Sequence, residues 1–334
     1  MYFQYSKIIS EKIEIDFSEK NDDSILDIIY GITSNFLLGA AISIESILKY
    51  NNNAYRFHLF TDKISKTSIE HLKETAQKNK VHIIIYIINN DNLSFLPCTE
   101  RWPYATYYRI IGFDILSENY TKALYLDADI MCKGNISDLN SLDLSDKILA
   151  AVPDTKKLQE RAREINIIKD GLYFNSGMML ANLILWKNEN ITQKTLEHLK
   201  LNIDNSLFPD QDTLNVIMNN KVYYLNKAYN FFYGVDTELK NKDIQLYKNV
   251  LTDNIKLIHY VGVSKPWHIW GNYPSSKYFL DIYKSSIWNN IPLEAPNTIK
   301  QMKKKSSHER LQKKYLSSFI SHLKYIHLKI KNKF

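Results

Sequence analysis

The chain has 334 residues, of which 45% are hydrophobic and 13% aromatic, so it can bury the core of one large domain with attachments. Its net charge of +7 is uneven, because residues 300–334 hold 11 Lys and Arg against one acid, which leaves the rest of the chain at −3. A nucleic-acid-binding protein more often spreads basic residues over its folded surface, so we expect no nucleic-acid partner.

The first half of the chain predicts alternating strands and helices. Residues 1–26 are polar with little pattern, and we interpret them as an N-terminal extension. Such alternation is typical of a mostly parallel sheet flanked by helices, so we predict an α/β fold. The predicted strands cover 26–33, 55–62 and 81–88, and the predicted helices cover 37–50, 65–79 with Ser65 as N-cap, and about 104–115.

The second half is less regular. Pro292 and Pro296 mark a boundary, so we predict a main domain over 27–296 and a basic tail over 297–334. The predicted strands are the one that ends at Asp127 and those at 148–154, 172–186, 222–226 and 255–262, with a helix at 210–220.

Targeting signals and cysteines bear on the compartment. No run approaches about 18 apolar residues, so we expect no spanning helix. The N-terminus has early acids and no apolar segment, so we expect no signal peptide. Cys98 and Cys132 are too few for a disulfide framework, which fits a reducing cytosol.

The segment ALYLDADIMCKG (123–134) sets Asp127 and Asp129 directly behind an apolar run. Residues two apart on a strand face the same side, and two carboxylates there repel unless a cation lies between them. A turn with capping acids is the alternative interpretation. His259, at the end of another predicted strand, would add a nitrogen ligand that suits Mn²⁺ better than Ca²⁺, although a lone histidine is more often structural.

Other polar residues stand at predicted element ends. FNSG (174–177) offers an amide and a hydroxyl suited to sugar hydroxyls, whereas Asp210 and Asp212 also fit capping of a helix N-terminus. Gly262 and Lys265 suit phosphate or a plain surface turn, and Arg109 suits phosphate or an acidic partner. The usual glycine-rich nucleotide loops are absent, so a metal-bridged diphosphate is the alternative.

Four segments in order carry a family resemblance. YLDADIMCKGNISDL, YFNSGMMLANLILW, FPDQDTLNV and HYVGVSKPWH resemble the family 8 glycosyltransferases, retaining enzymes with a GT-A fold, over about residues 26–290. FLPCTERWPYATYYR (95–109) and the two chain ends look most like the transferases of bacterial lipopolysaccharide outer core. The resemblance implies transfer of glucose or galactose from a UDP-sugar to lipopolysaccharide core through an α-1,2 or α-1,3 linkage.

The resemblance also implies roles for individual residues. One departure is Thr33, where the family usually has an Asp that bonds uracil. Mn²⁺ or Mg²⁺ would be held by Asp127, Asp129 and His259. The donor UDP-glucose or UDP-galactose would contact the nucleotide loop Gly31, Ile32, Thr33, Ser34, Asn35 and Phe36, then Asp127, Ala128 and Ser176, the diphosphate loop Gly262, Val263, Ser264 and Lys265, and the sugar-facing residues Arg109, Asn175, Asp210 and Gln211.

Two mechanisms and two further functions stay open. Gln211, expected near the anomeric carbon, is a poor nucleophile, which favours front-face attack over double displacement through Asp210. The same fold could act on another surface glycan, such as a lipo-oligosaccharide, a teichoic-acid type glycan or a glycoprotein. It could also belong to a non-catalytic, membrane-bound protein that binds sugar nucleotides or lipids. The oligomeric state is open.

The basic tail has helical periodicity. We predict an amphipathic helix on the anionic inner-membrane surface, with the enzyme peripheral on the cytoplasmic face. A solvated tail or a helix docked on the main domain is the alternative. The predicted apolar face comprises Leu311, Tyr315, Phe319, Leu323, Ile326 and Ile330.

Overall fold

A computed structural model describes residues 2–19, 25–99, 102–201 and 207–331. The strands are β1 Ile9–Asp16, β2 Leu26–Ile32, β3 Tyr55–Thr61, β4 His82–Ile88, β5 Lys122–Leu126, β6 Ile130–Cys132, β7 Leu149–Pro153, β8 Phe174–Asn182, β9 Val222–Tyr224, β10 Phe231–Phe232 and β11 Leu257–His259. The helices are α1 Tyr5–Ile8, α2 Leu37–Tyr50, α3 Lys66–Asn79, α4 Tyr108–Leu116, α5 Asp138–Ser141, α6 Lys156–Glu164, α7 Leu183–Asn188, α8 Ile191–Leu201, α9 Pro209–Ile217, α10 Val235–Asn241, α11 Tyr247–Val250, α12 Lys277–Ser285, α13 Ile299–Leu311 and α14 Tyr315–Lys331.

The central sheet has the strand order β1-β4-β3-β2-β5-β8-β7-β9. Its four strands β4, β3, β2 and β5 are mutually parallel, whereas β8 is antiparallel to both of its neighbours. The predicted α/β fold with a central sheet and flanking helices is confirmed. From β2 the chain adds β3 and β4 on one side of the sheet, and then crosses back to add β5 on the other side of β2. Ligands bind at such switch points, beyond the carboxyl ends of the strands.

The parallel strands are buried on both faces, which explains their nearly continuous apolar sequence. On β2, Ile28 and Tyr30 join a core with α2, α3 and α12, whereas Ile29 joins a second core with α4, α7 and α9. On β4, Ile83 joins the first core and its neighbour Ile84 joins the second. Helices therefore pack on both faces of the parallel strands, including β2 and β5, whose ends border the site described below.

A second, smaller sheet has the order β10-β11-β6. The antiparallel pairing of β11 with β6 sets His259 opposite Ile130, the residue after Asp129. Backbone N–H of Tyr260 donates to the Asp129 carbonyl at 2.9 Å. This pairing brings together residues that are 130 positions apart in the chain.

Two segments differ from the predicted elements. Residues 9–16, inside the predicted N-terminal extension, form β1 and pair antiparallel with β4 at the edge of the sheet. This strand keeps most of its charged side chains in solvent, so its sequence lacks a clear apolar pattern. The strand predicted over 172–186 ends at Asn182, whose side chain accepts from Leu185 N–H and starts α7.

The tail forms two helices rather than one. α13 ends in a Schellman motif, in which Lys314 N–H donates to the Glu309 carbonyl at 2.8 Å and Lys313 N–H to the Arg310 carbonyl at 3.1 Å. Lys313 adopts the left-handed conformation, with φ of 61°, that glycine usually supplies here. Leu311 therefore does not share a helix face with the apolar residues of α14, contrary to the prediction.

Candidate active site

A pocket of about 560 Å³ opens beyond the carboxyl ends of β2 and β5. It is lined by residues from loops that follow several strands, as expected at the switch point of the sheet. Its predicted lining residues are Gly31, Ile32, Thr33, Phe36, Arg109, Asp127, Ala128, Asp129, Asn175, Ser176, Asp210, Gln211, His259, Gly262, Val263 and Lys265. Ser34, Asn35 and Ser264 do not line it.

Asp127, Asp129 and His259 form the one group of three potential metal ligands found among the described residues. One ligand atom from each lies within 4.8 Å of the others. His259 Nε2 lies 3.1 Å from Asp129 Oδ1 and 3.8 Å from Asp127 Oδ2. Asp129 Oδ1 is buried and accepts no hydrogen bond. Buried carboxylate oxygens normally have a donor, so this oxygen is available to a ligand placed between the three residues.

Asn230 orients the histidine. Asn230 Nδ2 donates to Asn175 Oδ1 at 2.9 Å, so its Oδ1 faces His259 Nδ1, also at 2.9 Å, as an acceptor. Nδ1 therefore carries a proton, and in the neutral ring Nε2 turns its lone pair toward the two carboxylates. Three electron-rich atoms converge there, and this donor set fits a divalent cation such as Mn²⁺.

Gly177 makes room for this group. A Cβ at this position would lie 2.5 Å from His259 Cε1 and 2.7 Å from Asp127 Oδ2. Any side chain would displace both ligands, so the glycine of FNSG is required by close approach.

Lys265 stabilises the charge of Asp129. Lys265 Nζ donates to Asp129 Oδ2 and, at 2.8 Å, to the Tyr260 carbonyl. Burial opposes ionisation of Asp129, but the nearby charge of Lys265 outweighs it and holds the pKa of this carboxyl below its ordinary value. An ionised Asp129 is the form that binds a cation.

Arg109 contacts acidic side chains, which is the second of the two roles predicted for it from the sequence. It donates to Asp127 Oδ1 at 3.0 Å and to Ser176 Oγ at 2.7 Å, and lies 3.2 Å from Asp210 Oδ2. Burial opposes its charge, but Asp127, Tyr125 and Asp210 outweigh burial and raise its pKa. The guanidinium thereby fixes the positions of Asp127 and Asp210.

Gln211 is held by a network that the sequence analysis missed. Its Nε2 donates to Asp154 Oδ2 at 3.0 Å, and its Oε1 accepts from Ser176 N–H at 3.0 Å and Asn175 Nδ2 at 3.1 Å. Asn175 Nδ2 also donates to Asp154 Oδ2, at 2.9 Å. Asp154 follows the end of β7, and a carboxylate behind an apolar strand is the signal that identified Asp127.

Asp210 lies beside this network. Its Oδ2 accepts from Ser176 Oγ at 3.0 Å, and burial raises its pKa although Arg109 opposes the shift. Asp212, in contrast, turns away to accept from Arg161 Nη1 and Nη2, both at 3.0 Å. The two acids of FPDQD therefore differ in role, since Asp210 lines the pocket and Asp212 binds α6.

The predicted diphosphate loop is held from behind. Asp236 Oδ2 accepts from the backbone N–H groups of Val263 at 3.1 Å and Ser264 at 3.3 Å. The Ser264 hydroxyl is buried and accepts from Trp270 Nε1 at 3.0 Å. Gly262, at φ of 107°, and Lys265 remain the loop residues best suited to meet a phosphate.

Aromatic residues form the outer wall. Trp102 and Phe208 line the pocket with ring centroids 5.6 Å apart in an edge-to-face arrangement. Neither these rings nor Asn230 was predicted. Each stands on a connecting segment without periodicity, so only the folded chain brings them to the site.

Comparison with known families decides the identity of the chain. The model of glycosyl transferase family 8 matches residues 27–271, which is most of the chain. The chain belongs to glycosyl transferase family 8. A second model, glycosyl transferase family 8 C-terminal, matches residues 273–329 and so begins upstream of the predicted boundary at 297.

Curated relatives cover nearly the whole chain. The lipopolysaccharide 1,2-glucosyltransferase of Escherichia coli is 36% identical over 97% of this chain and 97% of its own length. The lipopolysaccharide 1,3-galactosyltransferase of Salmonella typhimurium is 35% identical over 98% of both chains. This family 8 chain is therefore a glycosyltransferase, as predicted.

A solved structure supports the fold. The galactosyltransferase LgtC, in complex with donor and acceptor sugar analogues, matches with a TM-score of 0.66 at 24% identity, over 78% of this chain and 96% of that chain. The predicted GT-A fold is confirmed. Family 8 enzymes of this fold use a nucleotide-sugar donor and a divalent metal ion. Among the described residues, no helix has the length and apolar character needed to cross a membrane.

Proposed function

We propose that this family 8 enzyme transfers glucose or galactose from a UDP-sugar to lipopolysaccharide core oligosaccharide, with retention and an α-1,2 or α-1,3 linkage. Relatives named for such reactions share 35–36% identity with nearly its whole length. The observation that carries the catalytic part is the convergence of Asp127, Asp129 and His259 at the ends of β5 and β11. The intact set of three ligands argues against the alternative of a sugar-nucleotide-binding protein without activity, as does the similarity to named transferases.

Mn²⁺ or Mg²⁺ would be held by Asp127, Asp129 and His259. When bound, the cation supplies Lewis-acid stabilisation of the charge on the departing diphosphate. Lys265 adds a positive charge at the same edge of the pocket, and Arg109 orients Asp127 through a hydrogen bond. Uracil would contact the nucleotide loop at 31–36, where Thr33 supplies a hydroxyl instead of a carboxylate.

Front-face attack is the mechanism that the surroundings of Gln211 and Asp210 support best. Both acceptor sites of Gln211 Oε1 are used, and Asp210 Oδ2 is engaged by Ser176 and Arg109. Gln211 Oε1 is therefore not free to attack the anomeric carbon, and Asp210 Oδ2 is already committed to these two partners. The acceptor hydroxyl would attack the face that the phosphate leaves, and its proton would pass to the departing phosphate oxygen. Gln211, Asn175 and Asp210 would hold the sugar.

The membrane partner is supported by the orientation of α14. Its buried residues are the serines Ser318 and Ser321, and Ser318 Oγ donates to the Ser306 carbonyl of α13 at 2.8 Å. Its apolar side chains point outward, with Leu316 at 75% and Phe319 at 60% exposure. A helix that packs its small polar residues against the protein and exposes its apolar residues fits insertion of that apolar face into an anionic membrane surface. The basic residues beside the apolar face would contact the lipid headgroups.

Under this proposal the enzyme is peripheral on the cytoplasmic face of the inner membrane, residues 27–296 form the catalytic domain and 297–334 form the membrane-associating tail. Exposure of the apolar face is the observation behind the membrane assignment. The core acceptor, carried by a lipid, would meet the pocket at that surface.

A donor screen tests the proposed reaction. UDP-glucose and UDP-galactose are incubated with truncated core oligosaccharides and Mn²⁺, and the linkage is determined by NMR. We expect an α-linked product that disappears in excess EDTA and returns with Mn²⁺. Asp129→Ala should abolish it while the circular dichroism spectrum is retained. Full activity in EDTA, or a β-linked product, would contradict the proposal.

A further inference from the structure

The first helix of the tail, α13, reaches the diphosphate loop through His308. This side chain is buried, at 0% exposure, and its Nε2 lies 2.9 Å from Asp236 Oδ1 and 3.0 Å from Ser264 Oγ. Its Nδ1 lies 2.8 Å from the hydroxyl of Tyr273. If that hydroxyl donates to Nδ1, Nε2 carries the proton, and it donates to the Asp236 carboxylate.

Asp236 connects this histidine to the backbone of the loop. One oxygen faces His308 and, at 3.2 Å, Lys304 of the same helix, whereas the other accepts the N–H groups of Val263 and Ser264. Burial opposes ionisation of Asp236, but the hydrogen bond with His308 and the charge of Lys304 outweigh it and hold its pKa below the ordinary value. Two partners on α13, the Lys304 charge and the His308 hydrogen bond, thus keep an acceptor for the loop ionised.

A second contact runs from the end of α13. Gln312 Nε2 donates to the Trp270 carbonyl at 2.9 Å, and Trp270 Nε1 donates in turn to the Ser264 hydroxyl. Both routes end on Ser264, next to Lys265. The loop has a left-handed glycine at Gly262 and carries little regular structure of its own, so its shape depends on these contacts.

We propose that α13 is a structural part of the donor site, with His308 and Asp236 as positioning residues that hold the 262–265 loop in its diphosphate-binding shape. The inference rests on the proposed function, which assigns this loop to the donor diphosphate. It gives the tail a role in donor binding that does not depend on a membrane. The nucleotide loop at 31–36 follows β2 and lies on a different element from the 262–265 loop. Loss of the α13 contacts should therefore weaken recognition of the phosphates and leave recognition of uridine unchanged.

The test compares ligands with and without phosphates. His308→Ala should weaken UDP binding in the presence of Mn²⁺ by about tenfold, because a charge-assisted hydrogen bond is lost. Binding of uridine, measured by competition, should change less than about twofold. KM for the UDP-sugar should rise about tenfold, whereas kcat should fall less than about threefold.

Matched variants separate positioning from loss of fold. His308→Gln retains an amide N–H that can reach Asp236 and should recover UDP affinity to within about threefold of wild type. His322→Ala removes an exposed histidine from α14 and should leave UDP affinity unchanged. Asp236→Asn keeps the shape but removes the charge, so it should lower UDP affinity even if His308→Ala fails to fold.

Three outcomes would overturn the inference. Wild-type UDP affinity in both His308→Ala and Asp236→Asn would mean that the loop does not depend on α13. An equal loss of uridine and UDP affinity would indicate general collapse of the pocket. Failure of the wild type to bind UDP would refute the proposed function as well. If wild type binds UDP and the variants bind it equally well, only the positioning role of α13 is refuted.

Discussion

Replacement of Gln211 by glutamate would set a second carboxyl against Asp154. The amide nitrogen that now donates to Asp154 Oδ2 lies 3.0 Å from it, and both side chains are buried. Two unit charges at that distance repel by about 5.5 kcal/mol at an effective dielectric constant of ~20, which corresponds to about four pKa units as an upper figure. We therefore expect the introduced carboxyl to titrate between about pH 6 and 8 instead of near its usual ~4.3.

The sign of the stability change follows from this raised pKa. Below about pH 4 the introduced carboxyl is neutral in both folded and unfolded states, so the variant should resemble wild type. As pH rises, the unfolded state releases its proton first, and stability is lost until the folded-state pKa is passed. The full loss should be about 2–5 kcal/mol, or ~3–7 °C in Tm for a chain of this size.

Thermal unfolding between pH 5 and pH 9 measures this effect, alongside transfer activity. The difference in Tm between Gln211→Glu and wild type should widen with pH and level off above about pH 8. Transfer should be reduced but measurable, with retention of configuration, and should fall further at high pH. Adding Asp154→Asn to this variant should remove most of the pH dependence. A Tm difference that is constant across pH would show that Gln211 and Asp154 are not in contact.

Three further predictions concern the metal, the nucleotide and the membrane. Gly177→Ala should weaken Mn²⁺ binding at least tenfold by isothermal titration, because its Cβ would overlap His259 and Asp127, whereas Gly134→Ala, with its nearest neighbours at 3.5 Å, should not. Thr33→Asp should tighten UDP binding or leave it unchanged, and a severe loss would show that this loop does not hold uracil. Phe319→Ser with Leu323→Ser should lower binding to anionic vesicles at least about tenfold in a flotation assay, more strongly than Ile184→Ser, and unaltered flotation would exclude α14 as the anchor.

The parallel half of the sheet was predictable because burial on both faces leaves a continuous apolar sequence. α2 was predicted over the residues it occupies, and Ser65 caps α3 by accepting from Ser68 N–H. The edge strand β1 was missed because an edge strand is partly exposed to water and four of its eight side chains are charged. The turn between α13 and α14 was missed because a lysine occupies the left-handed position that glycine normally marks.

Most of the pocket was also predictable, since carboxylates and amides at strand ends meet at one edge of a parallel sheet. The contacts of these residues were not. Asn230 and Asp154 act on His259 and Gln211 from other elements, so their roles depend on pairings that no local pattern encodes. For Ser264 the resemblance implies a phosphate contact, which stays a prediction, whereas the structure shows that its hydroxyl faces Trp270 and His308.

The Schellman turn at 312–314 provides a natural place to divide the tail. A chain shortened at residue 300 would lose His308 and Gln312 together with the exposed apolar helix, and its behaviour could not separate weaker donor binding from loss of anchoring. A chain that ends just after the turn would keep both α13 contacts with the donor side and remove the surface most prone to self-association in water. If the tail binds membranes as proposed, exchanging only α14 between relatives would alter membrane preference without altering nucleotide affinity.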